Sequence, residues 1–145
     1  MQALVQRVSS AEIIVAGDSY SKIDVGLVAF VCFEIGDKSD VVNKFINKIC
    51  NFRFFKDDRG ILSTCLKEIS AELMIVSQFT LAAITHKGNK PSFHNVAPSS
   101  EALLLYDKLL TRLQESQVSF KSGIFGKDMD IKLVNSGPVT FSFKF

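Results

Sequence analysis

The sequence predicts an α+β fold: a mostly antiparallel sheet curled into a barrel-like core, with two helices packed on it. Three observations predict it. Short apolar runs with period-two alternation recur from Leu4 to Phe145. Two stretches alone carry a helical period, Asp40–Phe52 and Ser100–Glu115, and strand patterns separate them. Finally, the order is several strands, a helix, more strands, a helix and then strands, the pattern of an α+β domain.

Leu4–Val8 alternates and reads as the first strand; Glu12–Ala16 reads as a second. Gly17-Asp18 supplies a hairpin turn into Ser19–Ile23. Gly26–Glu34 is nearly all apolar and rich in Val and Phe, the pattern of a central strand buried on both faces. A helix over Asp40–Phe52 follows, capped by Asp37 or Ser39. Val41, Val42, Phe45, Ile46, Ile49 and Cys50 form its apolar face. Arg53-Phe54-Phe55 and Ile61-Leu62 flank Asp57-Asp58-Arg59-Gly60, a hairpin turn. Glu72–Phe79 is another buried strand. Ala82–Pro98 carries Gly88, Pro91 and Pro98 and reads as a long loop, a length that compact domains usually reserve for function. In the second helix Leu103, Tyr106, Leu109, Leu110 and Leu113 share a face. Val118–Phe125, Asp130–Asn135 and Val139–Phe145 complete the strands, with Val139, Phe141, Phe143 and Phe145 pointing inward. No repeat, linker or low-complexity tract divides the chain, so residues 1–145 are expected to form one domain.

Composition narrows the function. The chain has 145 residues, 22% charged and 47% hydrophobic, which excludes a disordered segment. A net charge of +2 neither demands nor excludes RNA, because contact with one end of a nucleic acid needs only a local patch. The longest apolar run, Val25–Phe33, is about half of the roughly 20 residues that a membrane helix needs. Gln2, Gln6 and Arg7 interrupt any apolar leader. Cys32, Cys50 and Cys65 are scattered and odd in number, the usage of reduced thiols in a cytoplasmic protein. Cys32 and Cys50 lie in apolar patterns and read as core fillers.

Two polar inserts on apolar strands stand out: Ser77-Gln78-Phe79-Thr80-Leu81, and Asn135-Ser136-Gly137-Pro138-Val139-Thr140-Phe141. A Gly-Pro pair is locally wrong for a strand, since Pro138 cannot donate to a ladder and Gly137 has nothing to pack. The break is either a tight turn or backbone turned toward something other than a neighbouring strand. Because an X–Pro bond costs little to be cis, the pair can present two carbonyls side by side, suited to a small cationic group.

Candidate chemistry follows by residue type. Ser77 or Thr80 as nucleophile lacks a local base, and an unassisted hydroxyl is a poor nucleophile. His86 and His94, the only histidines, lack paired Cys or acidic residues at zinc-ligand spacing. Asp57 and Asp58 are turn residues. Neither metal nor cofactor is expected. Backbone remains: amides at a strand end, such as those of Phe79 and Thr80, can form an oxyanion hole.

The two inserts carry a resemblance. Together with Met1-Gln2-Ala3-Leu4-Val5-Gln6-Arg7-Val8, Lys87-Gly88-Asn89-Lys90-Pro91-Ser92-Phe93 and Gly123-Ile124-Phe125-Gly126-Lys127-Asp128-Met129, they resemble the D-aminoacyl-tRNA deacylase family, which removes D-amino acids from mischarged tRNA. The motifs occur in order over essentially the whole chain. The resemblance implies the fold above, a homodimer, and hydrolysis of the aminoacyl ester at the 3′ adenosine. It implies a backbone oxyanion hole, with attack assisted by the 2′-hydroxyl of that adenosine, and catalytic roles for Ser77, Gln78, Phe79 and Thr80. Gly137 and Pro138 would hold the substrate ammonium and reject L-amino acids by clash, while glycine, lacking a side chain, would pass. Arg7 would support the site, or form a plain ion pair. Phe125 and Met129 would line the adenosine pocket, or belong to the core. Gln78 would touch substrate or close a loop; Phe79 would stack on adenine or pack inward. Lys87, Lys90 and Lys127 would meet phosphates or remain solvated. His86 stands where the family commonly has arginine, and Ile61-Leu62-Ser63 replaces its usual run; neither touches the two inserts. The rival readings are a silent RNA- or amino-acid-binding module of the same fold, and a self-associating protein in which Gly-Pro only turns a strand.

Overall fold

The computed structural model describes residues 1–69, 71–86 and 88–145. In chain order the elements are β1 (Gln2–Val15), β2 (Asp18–Ile23), β3 (Gly26–Cys32), α1 (Ser39–Asn51), β4 (Arg53–Lys56), β5 (Leu62–Cys65), β6 (Glu72–Ser77), a one-turn 3-10 helix (Phe79–Ala82), α2 (Ser99–Glu115), β7 (Phe120–Ser122) and β8 (Asp130–Lys144). A second 3-10 turn, Leu66–Glu68, follows β5.

β1 organises the sheet. Its first half pairs with β3, Gln2 against Cys32 through Val8 against Gly26. Its second half pairs with β2. Along its other edge β8 follows nearly the whole length of β1. The two strands expected at Leu4–Val8 and Glu12–Ala16 are therefore one strand. Ser9 and Ser10, the exposed polar pair between them, mark a register shift and not a turn. The hairpin turn lies one residue earlier than expected: Ala16 and Gly17 both have positive φ, 53° and 90°, which suits the twist of a two-residue hairpin.

β3 and β6 run parallel, as do β6 and β7, while the remaining pairs are antiparallel. Both faces of β3 and β6 are buried. Leu27, Ala29, Val31, Leu73 and Ile75 join the core under the helices. Val28, Met74 and Val76 join a smaller core enclosed by β2, the far half of β1 and the start of β8. This is why the two segments are continuously apolar. Gly26 permits the pairing, since a Cβ there would sit 2.1 Å from the Glu72 carbonyl oxygen.

The helices cover one face. Val41, Val42, Phe45, Ile49 and Cys50 of α1 are buried, as expected. Its predicted cap is not made: Lys38 occupies the cap position, and Asp37 instead accepts from the Met1 ammonium at 2.8 Å and the Glu34 N–H at 2.8 Å. α2 buries Ala102, Tyr106, Leu109 and Leu113, whereas Leu103 and Leu104 face solvent. The expected α2 face is thus rotated toward Ala102, because the helix packs on α1 and the sheet together. Inward alternation along the end of β8 holds. Val139 is buried, and Phe141 and Phe143 meet the buried ring of Phe54 at 5.9 and 6.2 Å. Among the described residues, no helix is long and apolar enough to cross a membrane.

Candidate active site

A parallel strand pair brings two C-terminal ends to one edge. Here Val31 of β3 stands opposite Ser77 of β6, so Cys32 and Phe33 emerge beside Gln78 and Phe79. The Gln78 N–H donates to the Val31 carbonyl at 2.8 Å and extends the pairing by one residue. The chain then turns through the 3-10 helix. Leu81 N–H donates to the Gln78 carbonyl at 3.3 Å and Ala83 N–H to that of Thr80 at 3.1 Å. Phe79 and Thr80 open this turn, and the opening amides of a helical turn have no acceptor inside it.

Beside the turn lies a cavity of about 510 Å³. Its floor includes Cys32, Phe33, Val76, Ser77, Gln78 and Phe79. Ser99 and Ala102 bring the start of α2 to one wall, and Phe125 to Met129 form the other. That wall is tied to the sheet. Gly123 N–H donates to the Ile75 carbonyl at 2.9 Å, and the buried Tyr106 hydroxyl donates to the Gly123 carbonyl at 3.3 Å. Burial raises the Tyr106 phenol well above its ordinary pKa, so it stays a neutral donor. Gly123 has no side chain for a reason: a Cβ would lie 2.6 Å from Met129 Sδ, which accepts from the Ile124 N–H at 3.3 Å. Phe125 packs on Tyr106 at 5.5 Å.

Side-chain chemistry here is sparse. Gln78 Nε2 donates to Thr80 Oγ1, so the threonine hydroxyl is tied to an amide that cannot take its proton. Thr80 is exposed and does not line the cavity. Neither does His86 or His94; His94 bonds Ser92. Asp128 and Lys127 stand at the solvent-facing rim. Phe79 is 56% exposed and meets Phe93 of the long loop at 5.0 Å. Paired backbone bonds between Ile84 and Ser92 hold that loop closed.

The second insert lies elsewhere in the chain. Gln6 pairs with Thr140 and Val8 with Asn135, so Arg7 alone faces the stretch 136–139, which bulges out of β8. The Gly137-Pro138 bond is cis, and both residues are exposed. Neither lines the cavity. The bulge is braced from below. Arg7, only 7% exposed, donates Nη1 to the Phe54 carbonyl at 2.8 Å and Nε to the Ser136 carbonyl at 3.3 Å. Asn135 Nδ2 reaches the Arg7 carbonyl at 3.1 Å and that of Val139 at 3.4 Å, clamping both ends. Arg7 has no carboxylate partner among the described residues, so the alternative of a plain ion pair is not realised; it binds backbone.

The family model described as D-Tyr-tRNA(Tyr) deacylase matches residues 4–144. The chain belongs to that family. It is similar to the D-aminoacyl-tRNA deacylases of Pseudomonas entomophila (strain L48), at 45% identity, and Pseudomonas fluorescens (strain SBW25), at 43%. Each comparison covers 97% of both chains. Among solved structures it superimposes on one described as "c-Myc DNA Unwinding Element Binding Protein", with TM-score 0.93, 34% identity and coverage of 100% and 99%. A chain described as a "probable eukaryotic D-amino acid tRNA deacylase" shares the fold at TM-score 0.84 and 15% identity, covering 98% and 97%. Family membership makes the chain a hydrolase, and the expected barrel-like fold with two helices is the fold observed.

Within this deacylase-family chain, the cavity unites Ser77, Gln78, Phe79, Phe125 and Met129, while Thr80, Arg7, Gly137 and Pro138 stand outside it. Lys127 is at the rim and Lys90 is exposed; Lys87 lies outside the described residues. Cys32, Phe33, Ala97 and Ser99 line the cavity without having been singled out for it. A parallel pairing of the two continuous apolar runs was the available signal, because it sets Cys32 and Phe33 beside the first insert.

Proposed function

We propose that this deacylase-family hydrolase cleaves the ester between a D-amino acid and the 3′-terminal adenosine of tRNA, releasing free amino acid and tRNA as a proofreading step in translation. The aminoacyl-adenosine enters the cavity beside the Ser77–Thr80 turn. Phe125 and Met129 take the adenosine, and Ser77 and Gln78 face the aminoacyl group. As water attacks the ester carbonyl, the N–H groups of Phe79 and Thr80 receive the developing oxyanion. The 2′-hydroxyl of the adenosine assists the attack, which suits a cavity whose Thr80 neighbour bonds an amide and whose histidines lie outside. The single observation that carries this reading is that cavity: about 510 Å³ of space beside the backbone amides that open the turn after β6, with Phe125 and Met129 on its wall.

Chirality comes from a second copy. The Gly137-Pro138 bulge is exposed, rigidly braced by Arg7 and Asn135, and outside its own chain's cavity. In a homodimer it reaches the partner's cavity, and its carbonyls accept from the substrate ammonium. The α-carbon is then pinned, and an L side chain runs into backbone. Rejection needs no side-chain pocket, so many D-amino acids are accepted, and glycine passes too.

Turnover tests it. The protein should release amino acid from D-tyrosyl-tRNA and not from L-tyrosyl-tRNA. Release from neither sinks the activity, and release from both sinks the filter. Thr80→Ala should retain at least about a third of wild-type kcat, because its amide survives; a folded but dead variant returns the hydroxyl to the role of nucleophile.

A further inference from the structure

We propose that Cys32 is a positioning residue for the reaction, its thiol holding the Phe79–Thr80 peptide plane in the orientation that the oxyanion hole requires. This rests on the backbone oxyanion hole proposed above. Cys32 ends β3, is 3% exposed, and lines the cavity. Its Sγ donates to the Phe79 carbonyl at 3.4 Å. A second acceptor, the Phe33 carbonyl at 3.5 Å, already receives the Ala97 N–H at 3.1 Å. Burial raises the thiol pKa, which keeps the proton available for donation.

The link to chemistry is peptide geometry. The Phe79 C=O and the Thr80 N–H belong to one planar trans unit and point in opposite directions. Fixing the carbonyl therefore fixes the heading of the amide. A single 3-10 turn on a surface loop has few bonds of its own to resist rotation of this plane. An oxyanion donor must be set before charge develops, or its reorientation adds to the barrier. Loss of the thiol should then lower kcat and leave KM alone, because the ground-state ester makes little use of the hole.

The experiment compares Cys32→Ala, Cys32→Val and Cys32→Ser with wild type on D-tyrosyl-tRNA, alongside the Thr80 amide 15N resonance of each protein. A thiol–carbonyl bond is weak, so alanine and valine should each lower kcat roughly two- to fivefold with KM unchanged. Valine preserves the packing should alanine fail to fold. Serine, which keeps a donor, should stay within about twofold of wild type. The Thr80 resonance should shift in the alanine and valine proteins and stay near its wild-type position in the serine protein. Wild-type kcat in the valine protein, or an equal loss in all three, overturns the assignment and leaves the oxyanion hole standing. A wild-type protein that does not deacylate D-tyrosyl-tRNA refutes the underlying reading instead.

Discussion

Replacing Arg7 by methionine separates the brace of the bulge from the bulk of the core. Methionine keeps most of the buried stem and removes the guanidinium. Two charge-assisted bonds are lost, to the buried Phe54 carbonyl at 2.8 Å and to the Ser136 carbonyl at 3.3 Å. Such bonds contribute about 1.5–3 kcal/mol each, and the longer one belongs at the low end. The retained apolar packing offsets part of the loss, leaving about 3 kcal/mol. For a chain of this length that lowers Tm by about 10 °C. The second consequence is functional. The Ser136 carbonyl is the anchor immediately before Gly137, so its release loosens the proposed filter. Arg7→Met should lose at least about tenfold in kcat/KM on D-tyrosyl-tRNA and narrow the ratio of D to L turnover, measured at 25 °C where the variant is still folded. Leu113→Ala, buried in α2 away from the bulge, provides the control, with a similar stability loss and an unchanged D/L ratio. Equal D/L ratios for Arg7→Met and Leu113→Ala would refute the reasoning, since Arg7 would then serve stability alone.

Gly137→Ala should fold normally, because a Cβ there meets only Asn135 Oδ1 at an ordinary 3.5 Å, and Tm should move by no more than about 2 °C. Turnover of D-tyrosyl-tRNA should nevertheless fall more than about tenfold, since the new methyl occupies the space proposed for the substrate α-carbon; full activity would make the bulge a plain turn. Glu68 is held down from 4.5 to about 2, chiefly by Arg53, with help from Cys65. A depressed carboxylate stabilises the fold above its unfolded pKa and loses that contribution as pH falls through the folded value. Glu68→Gln should therefore melt below wild type at pH 7, and the two melting curves should converge as pH falls from about 4.5 to about 2. A gap that persists at pH 2 would mean that Glu68 acts through its shape and not its charge.

Much of this protein was determined by neighbours along the chain. Alternating and continuous apolar runs specify strands whichever partner they find, and the helical period of Val41 to Cys50 specifies a face. The Gly137-Pro138 pair announces a broken ladder because proline lacks a donor wherever it sits. Tertiary structure decided what depends on non-local register. Whether Ser9 and Ser10 turn or merely bend β1 was settled by β8, which pairs across both halves. Asp37 left its capping role because Met1 and Glu34 came within reach. Arg7 found carbonyls and not a carboxylate, since the bulge opened directly opposite it. Cys32 reads as core filler in sequence and becomes a cavity residue only when β3 and β6 lie parallel in register. Local pattern encodes which atoms a segment must hide. Only the closed sheet decides which carbonyls and amides are left facing one another.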